Sequence, residues 1–347
     1  MPPAVVEGPG RVGRPPLGPG REWCARTSRP CRAPGERFSS VWVGDLREVV
    51  AVGDGVRIRA GRRVVEVKRP DKELFGAGGP TKEDLARYHL RIAPLMLPHL
   101  KGRPVALERY PGGVGKTGFF VKHPSVPDWV RTLEIEGEPM MEARDAATLV
   151  WCADQAAITL HAWQSREPRL GRPDLLILDL DPPDTDPGAF AACKAAARDA
   201  REVLEEAGLA AYVMTTGSKG LHVRSPLRPE LDDQEVRDLA KLLAERVAER
   251  APGERTTEVR KNKREGRLFV DYLRNGREQL AVAPYSVRVR EGAPVAAPLF
   301  WEELDGLESP RAFGLDLERE ECPFRGMHRR ARSPKRARDR LGRPRAA

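Results

Sequence analysis

Residues Leu175–Pro183 read Leu-Leu-Ile-Leu-Asp-Leu-Asp-Pro-Pro. The apolar run has the length of a β-strand, and alternate strand residues point to the same side, so Asp179 and Asp181 share one face. Two prolines then end the strand, because proline cannot donate to a β-ladder. Two like charges beside a buried run are costly unless a cation lies between them, which makes a divalent metal their natural partner. Taken alone, the pair fits two solvated acids that cap a core strand slightly better.

The excess positive charge lies at the C-terminal end of the chain. The 347 residues carry a formal net charge of +9, and residues 324–347 hold ten Lys or Arg and one acid. This basic tail therefore accounts for the whole excess. We expect the tail to be disordered and to bind DNA non-specifically. Any nucleic-acid contact in the folded body must come from local patches.

The remaining composition bounds the class of protein. Five scattered cysteines indicate neither a disulfide framework nor a zinc site. We find no apolar span of membrane length and no signal peptide, so the expected location is the cytoplasm, with no membrane partner.

Strands and helices alternate along the central part of the chain. Residues 1–37 are rich in Pro, Gly and Arg without apolar periodicity, and we predict that they are disordered. We predict that residues 38–310 form one domain of the α+β (mixed α/β) class, with an antiparallel or mixed sheet flanked by helices. Its last strongly β-like segment is Val282–Val289. Residues 311–347 form a C-terminal segment that ends in the basic tail.

Residues 111–117, Pro-Gly-Gly-Val-Gly-Lys-Thr, are similar to a P-loop but do not satisfy the motif. The motif requires glycine five positions before the glycine of Gly-Lys-Thr, where this chain has Tyr110. A P-loop must also open a helix, whereas Gly118-Phe-Phe-Val121 is typical of a strand. We therefore predict a turn between two strands.

A third acid, Asp271, lies inside an otherwise apolar strand, where a buried carboxylate needs a partner. Three carboxylates on adjacent strands can hold two divalent ions, the arrangement that activates a 3′-hydroxyl and steadies a leaving pyrophosphate. For Asp271 alone, a strand-end acid in a salt bridge with Arg274 is an equally good interpretation.

Two further patterns fit phosphate binding. Thr215-Thr-Gly-Ser-Lys-Gly-Leu-His222 offers backbone N–H groups and positive charge to a triphosphate, although a surface turn fits the bare pattern as well. In Tyr285-Ser-Val-Arg288-Val-Arg290, the two arginines share one strand face, and paired arginines suit phosphates. A solvated charged edge is the alternative. His161 could bind a phosphate or sugar, although a lone histidine is more often structural.

Four motifs together resemble the polymerase domain of bacterial ligase D, in the archaeo-eukaryotic primase superfamily. They are Leu178-Asp-Leu-Asp-Pro182, Gly217-Ser-Lys-Gly-Leu-His222, Phe269-Val-Asp-Tyr-Leu-Arg274 and Ala283-Pro-Tyr-Ser-Val-Arg288. The resemblance extends from about Val56 to Leu307. It implies a primase-polymerase fold and a template-directed nucleotidyltransferase that fills gaps or extends broken DNA ends in non-homologous end joining. It also implies a preference for ribonucleotides and often for manganese.

The resemblance implies roles for individual residues. Asp179, Asp181 and Asp271 would bind two divalent ions, Mn²⁺ or Mg²⁺, and carry catalysis. The side chains and backbone around the incoming NTP or dNTP would belong to His161, Thr216, Ser218, Lys219, Gly220, His222, Arg274, Arg288 and Arg290. Lys72 and Lys82 would bind the 5′-phosphate at a DNA end. Phe119 and Phe120 would stack on the template, whereas without the resemblance they would be assigned to the core.

Some positions depart from the family pattern. Arg69 replaces a usual asparagine, Val121 a usual glutamine, and Glu108 a lysine of some relatives. Nothing resembles the Lys-x-Asp-Gly centre of a nucleotidyl-transferring ligase, so we expect a stand-alone polymerase module at the nucleoid whose partners are Ku and a separate ATP-dependent DNA ligase. The competing hypothesis is a DNA-end-binding module that has lost catalysis and recruits repair proteins. We rank this second hypothesis lower, because a protein that has lost catalysis has no reason to keep all three acids together with Lys219 and His222.

Overall fold

The structure is a computed structural model that describes residues 49–52 and 54–342. The N-terminal segment of residues 1–37, with Cys24 and Cys31, and the last five residues lie outside this described part. The disorder expected for residues 1–37 therefore stays a prediction.

Short strands and longer helices alternate through the described residues. The strands are β1 (Val49–Val52), β2 (Gly55–Ala60), β3 (Arg63–Lys68), β4 (Val105–Arg109), β5 (Phe119–Val121), β6 (Thr132–Ile135), β7 (Glu138–Met141), β8 (Ala157–Trp163), β9 (Leu175–Asp181), β10 (Tyr212–Thr215), β11 (Leu221–Pro226), β12 (Arg255–Thr256), β13 (Leu268–Asp271), β14 (Leu280–Val282) and β15 (Pro298–Leu299). The α-helices are α1 (Lys82–Leu100), α2 (Ala146–Asp154), α3 (Pro187–Glu206), α4 (Asp233–Glu249), α5 (Glu303–Gly306) and α6 (Pro334–Leu341). None of these helices is long and apolar enough to cross a membrane.

The strands form three sheets. A small antiparallel sheet has the order β1-β2-β3, and a larger one has the order β14-β8-β4-β7-β6 with β5 added to β4. Residues 110–118 connect β4 to β5 without a helix, so the prediction of a turn rather than a P-loop is confirmed. Thr81 caps the start of helix α1: its side chain accepts from the backbone N–H of Asp84, and the Asp84 side chain accepts from the backbone N–H of Thr81.

The third sheet carries the motif strands and has the order β12-β13-β9-β11-β10-β15. Its pairs are antiparallel except β12 with β13, which makes it mixed. Leu176, Leu178 and Leu180 of β9 pack in one core with α3 and α4. Leu175 and Ile177 point the other way, into the core shared with α1 and β8. Since side chains alternate, Asp179 and Asp181 continue this second row beyond the apolar core. The predicted α+β class, with a mixed sheet flanked by helices, is confirmed.

The strand predicted over Val282–Val289 is wrong beyond Val282. Strand β14 ends at Val282, because Pro284 has no N–H to donate and Tyr285 adopts a left-handed backbone with φ of 67°. Arg288 and Arg290 therefore do not share a strand face, and the chain around them is irregular.

The basic tail is also not disordered over its described length. Ser333 caps α6 by accepting from the N–H of Arg336, and Ala337 is buried against the core of α3 and α4. Phe324 is buried in the core that contains α1. A few apolar residues anchor this segment to the two cores. The strongly basic average composition of the tail gave no indication of them.

Candidate active site

A row of three side chains crosses the mixed sheet. Asp179 on β9 lies opposite His222 on β11 and opposite Asp271 on β13. Directly paired residues on neighbouring strands point to the same face. The Nε2 atom of His222 lies 3.4 Å from Oδ1 of Asp179, and Asp181 follows on the same face, opposite Phe269. The strand register thus brings the three predicted acids and His222 together.

The three carboxylates differ in pKa. Burial raises the pKa of Asp271 to about 6, and the charge of Asp179 adds to this effect. Burial and Asp179 also raise the pKa of Asp181, against the positive charge of Lys219. Burial opposes ionisation of Asp179 too, but His222 and Arg274 outweigh it and lower its pKa to about 2. One carboxylate is therefore firmly ionised, while its neighbours resist further negative charge.

Arginines supply the positive charge next to these acids. The Nε atom of Arg274 lies 3.4 Å from Oδ2 of Asp179 and 3.7 Å from Oδ2 of Asp271. A guanidinium nitrogen of Arg264 lies 3.7 Å from Oδ2 of Asp181. The salt bridge of Asp271 with Arg274, considered above as an alternative, is therefore present within the three-acid cluster.

The acids have the chemistry of a divalent-metal site but are not preassembled as one. Among residues 49–52 and 54–342, no group of three His, Cys, Asp or Glu side chains is spaced to hold a metal ion. Carboxylate oxygens are the donors that Mg²⁺ and Mn²⁺ prefer. Burial and the neighbouring charge of Asp179 both raise the pKa of Asp271, and a bound cation would favour its ionised form.

The Thr215–His222 segment forms a tight loop before β11. The Thr216 hydroxyl accepts from the N–H groups of Ser218 and Gly220 and donates to the Gly220 carbonyl oxygen. Gly217 has φ of 64°, and a Cβ at Gly220 would overlap the carbonyl oxygen of Leu180. Thr216 and Gly220 therefore shape the loop.

Arg288 and Arg290 meet this loop although they are not on a strand. A Cβ at Gly217 would lie 2.7 Å from Cγ of Arg288, and Nη2 of Arg290 donates to Oγ of Ser218 at 3.3 Å. Burial lowers the pKa of Arg288. Its Nε atom has no hydrogen-bond partner among the described residues. An unsatisfied buried guanidinium N–H is a donor available to an anion.

His161 lies beside the exposed aromatic pair. Its Nε2 atom is 3.4 Å from Oε2 of Glu108, and its ring centroid is 5.4 Å from that of Phe120. Phe119 and Phe120 are each 47% exposed, so they do not belong to the core. The guanidinium of Arg109 covers the ring of Phe119 at 5.4 Å.

The two predicted end-binding lysines are neighbours, but they differ in access. The N–H of Lys82 donates to the carbonyl oxygen of Lys72. The Lys82 ammonium lies 3.0 Å from Oδ1 of Asp154, and the side chain is only 6% exposed. Burial lowers the pKa of Lys82, opposed by Asp154 and reinforced by Arg69 and Lys72. Lys72 is half-buried, whereas Lys82 is occupied by an internal ion pair.

Sequence reasoning missed three arginines at the site. Arg264 binds Asp181 and lies over the ring of Phe269. Nε of Arg311 donates to the carbonyl oxygen of Ser218 at 2.8 Å. Arg224 lies 3.3 Å from Nδ1 of His222. Only Arg224 had a local signal, because it follows His222 by two residues and so shares its strand face.

The family described as LigD, primase-polymerase domain, matches residues 81–322, which is well over half of the chain. The chain belongs to the LigD primase-polymerase family. The resemblance drawn from the four motifs is confirmed. Every candidate site residue from Lys82 to Arg290 lies inside the matched range.

Two individual relatives support the same family assignment. The chain is 35% identical over 263 residues to the multifunctional non-homologous end joining protein LigD of Pseudomonas aeruginosa, covering 74% of this chain and 31% of that protein. It is 32% identical over 268 residues to the bifunctional non-homologous end joining protein LigD of Bacillus subtilis, covering 75% and 43%. The chain thus spans less than half the length of these two relatives.

A solved structure also matches. The polymerase domain of Mycobacterium tuberculosis ligase D, in complex with DNA, is 34% identical with a TM-score of 0.66, covering 74% of this chain and 93% of that chain. The primase-polymerase fold predicted for this LigD family member is confirmed.

Proposed function

We propose that this chain is a template-directed nucleotidyltransferase that fills gaps or extends broken DNA ends with ribo- or deoxynucleotides in non-homologous end joining. The observation that carries the proposal is the row of His222, Asp179 and Asp271, which strand register aligns beside Asp181. The Thr215–His222 loop, termed the phosphate loop, leads directly into this row. Membership in the LigD primase-polymerase family supports it.

The carboxylates of Asp179, Asp181 and Asp271 would hold the metal. Two Mg²⁺ or Mn²⁺ ions, when bound, supply Lewis-acid activation of the primer 3′-hydroxyl and charge neutralisation on the triphosphate. Arg274 now neutralises Asp179 and Asp271, and its side chain is 44% exposed. It can therefore turn from the carboxylates to a phosphate without leaving the site.

Basic side chains around the Gly217–Gly220 loop would bind the triphosphate of the incoming NTP or dNTP. Arg288 offers an Nε that has no hydrogen-bond partner in the part of the chain that the structure describes. Arg290 already contacts Ser218, and Lys219 carries its charge beside Asp181. Preorganised positive groups stabilise the charge that develops in phosphoryl transfer. Nε2 of His222 lies 3.4 Å from Oδ1 of Asp179, and His161 lies next to Phe120 at the side of the site.

The DNA would lie over the exposed aromatic pair. Phe119 and Phe120 present ring faces on which template bases can stack. Lys72 would be the first of the two lysines to contact the 5′-phosphate of the broken end. Lys82 could bind the same phosphate only by weakening its ion pair with Asp154. Ku and a separate ATP-dependent DNA ligase are the proposed protein partners, and the chromosome in the cytoplasm is the proposed location.

A DNA-end-binding module without catalysis is the alternative. Such a module has no use for two carboxylates in register with His222 and a third on the same face. Nor does it need Arg288, whose Nε has no hydrogen-bond partner among the described residues, beside a glycine loop. The alternative is therefore not favoured.

A gap-filling assay separates the two functions. The substrate is a gapped duplex with a 5′-phosphate, offered with NTPs or dNTPs and with Mn²⁺ or Mg²⁺. We expect extension by nucleotides complementary to the template. DNA binding with no extension under either metal and either nucleotide type would favour the end-binding module.

A further inference from the structure

Arg224 on β11 is a buried cation with no carboxylate partner among the described residues. Its side chain is only 4% exposed, and its Nε atom has no hydrogen-bond partner in the described part of the chain. One guanidinium nitrogen, Nη2, makes both of its contacts, to the carbonyl oxygen of Val282 at 2.6 Å and to Nδ1 of His222 at 3.3 Å. Burying a guanidinium without a carboxylate costs folding free energy, so this position calls for a reason beyond packing.

The contact with His222 sets the tautomer of the imidazole. A guanidinium has only donors, so the ring nitrogen that faces it must be the acceptor. Nδ1 of His222 therefore carries a lone pair, and the ring hydrogen lies on Nε2. The opposite tautomer would place an N–H of His222 against an N–H of Arg224.

The Nε2 side of the His222 ring faces Asp179. The distance from Nε2 to Oδ1 of Asp179 is 3.4 Å, and the strand register places His222 directly opposite Asp179. Oδ1 of Asp179 is thus turned towards β11, while Oδ2 faces Arg274 and Asp271 on the other side. A hydrogen on Nε2 of His222 attracts Oδ1 of Asp179, whereas a lone pair on Nε2 would repel it.

We infer that Arg224 is a positioning residue that fixes the Nε2–H tautomer of His222 and thereby the orientation of the Asp179 carboxylate. Groups that hold the partners of functional carboxylates and histidines matter nearly as much as the groups themselves. The kinetic consequence rests on the proposed function, whereas the tautomer is a property of the protein alone.

Arg103 offers a matched control. It is also a buried arginine and lines the same small pocket as Arg224, together with Val282. Its guanidinium, however, is held by Asp174 at 2.6 Å and by the carbonyl oxygen of Trp163 at 3.1 Å. Replacing Arg103 therefore removes a buried cation without changing the hydrogen bond to His222.

The test combines histidine NMR with gap filling on the full chain. In ¹⁵N-labelled protein, free of metal and DNA, we expect His222 to carry its hydrogen on Nε2 and none on Nδ1; a His222→Gln variant identifies its signals among the six histidines. Arg224→Met should lose this tautomer preference and lower kcat of extension about 10- to 100-fold, the usual cost of losing such a supporting partner. Arg224→Lys, which keeps a donor, should restore both. Arg103→Met should lower thermal stability and leave the His222 tautomer as in the unaltered protein.

Two results would overturn the inference. One is a hydrogen on Nδ1 of His222 in the unaltered protein, which needs no variant to fold. The other is an Arg224→Met variant that keeps the Nε2–H tautomer and whose kcat falls by no more than about twofold, far less than the expected loss. Absence of extension by the unaltered protein would contradict the proposed function instead, and the NMR result would still decide the role of Arg224.

Discussion

Asp179 and Asp271 face each other across β9 and β13, and the protein moves their pKa values in opposite directions from 3.8, to about 2 and to about 6. Burial raises both, but His222 and Arg274 outweigh it at Asp179, whereas the charge of Asp179 adds to it at Asp271. The same pair of carboxylates thus contains one ion that stabilises the fold and one whose ionisation opposes it.

Opposite effects on stability follow for the two Asn variants. In EDTA at neutral pH, Asp271→Asn should raise the free energy of unfolding by about 2–3 kcal/mol, because it removes a carboxylate that the fold ionises reluctantly. The gain should shrink as pH falls through 6 and vanish below about 4, where the folded and unfolded states are both protonated.

Asp179→Asn should lower the free energy of unfolding by about 2 kcal/mol at neutral pH. The contribution of Asp179 is present above pH 3.8 and is lost as pH falls towards 2, since its folded pKa is depressed. Urea unfolding of both variants at pH 4 and pH 7.5 checks the pair. Changes of the same sign at pH 7.5 would contradict this account of the site.

Phe119→Ala and Phe120→Ala should weaken binding of a template overhang without loss of fold stability. Both side chains are exposed, and stacking on one base contributes about 1–3 kcal/mol, or roughly 5- to 150-fold in affinity. Phe300→Ala is the control, because Phe300 is similarly exposed at 43% and directly follows β15, which belongs to a different sheet from β5. Fluorescence anisotropy with a single-stranded overhang measures the effect, and equal affinities for all three variants would remove the stacking role.

The Lys82–Asp154 pair should limit recognition of a 5′-phosphate. Asp154→Asn frees the Lys82 ammonium from its closest anion, so the ratio of affinities for 5′-phosphate and 5′-hydroxyl duplex ends should rise about tenfold or more, the scale of one charge-assisted hydrogen bond. Lys82→Met should lower that ratio. The double variant should match Lys82→Met, and a raised ratio there would assign the effect to Asp154 alone.

Gly220 should be irreplaceable in the phosphate loop. A Cβ there would overlap the carbonyl oxygen of Leu180 on β9, so Gly220→Ala should lower the free energy of unfolding by about 2–4 kcal/mol and impair extension. Gly253→Ala is the control, because a methyl group added at Gly253 would meet no described atom within 4 Å beyond its chain neighbours. Thermal unfolding compares the two, and equal melting temperatures would contradict the described loop.

Local patterns predicted the centre of the site well. The apolar run before Asp179 and Asp181, and the lone acid in β13, each follow from strand periodicity within one short segment. Once β9 and β13 are neighbours in the sheet, their register brings these acids together. The phosphate loop could likewise be predicted from the sequence, because its geometry depends on Thr216, Gly217 and Gly220, which lie within five residues.

Features that depend on distant contacts could not be predicted in this way. Lys82 and Asp154 are 72 residues apart, and Arg311 reaches Ser218 across 93. Strand periodicity also extended β14 past Pro284 and Tyr285, where backbone chemistry ends it. The docking of α6 depends on single residues such as Ala337, which an average over a basic segment conceals.

Extension by carboxylate variants tests the central claim most directly. On a gapped duplex with a 5′-phosphate and Mn²⁺, Asp179→Asn and Asp271→Asn should each abolish nucleotide addition while binding the DNA within about threefold of the unaltered protein, since neither acid is asked to hold DNA. Asp339→Asn, at an exposed position of α6, should extend normally. Nucleotide addition that persists in either site variant would contradict the assignment of this carboxylate row as the seat of polymerisation.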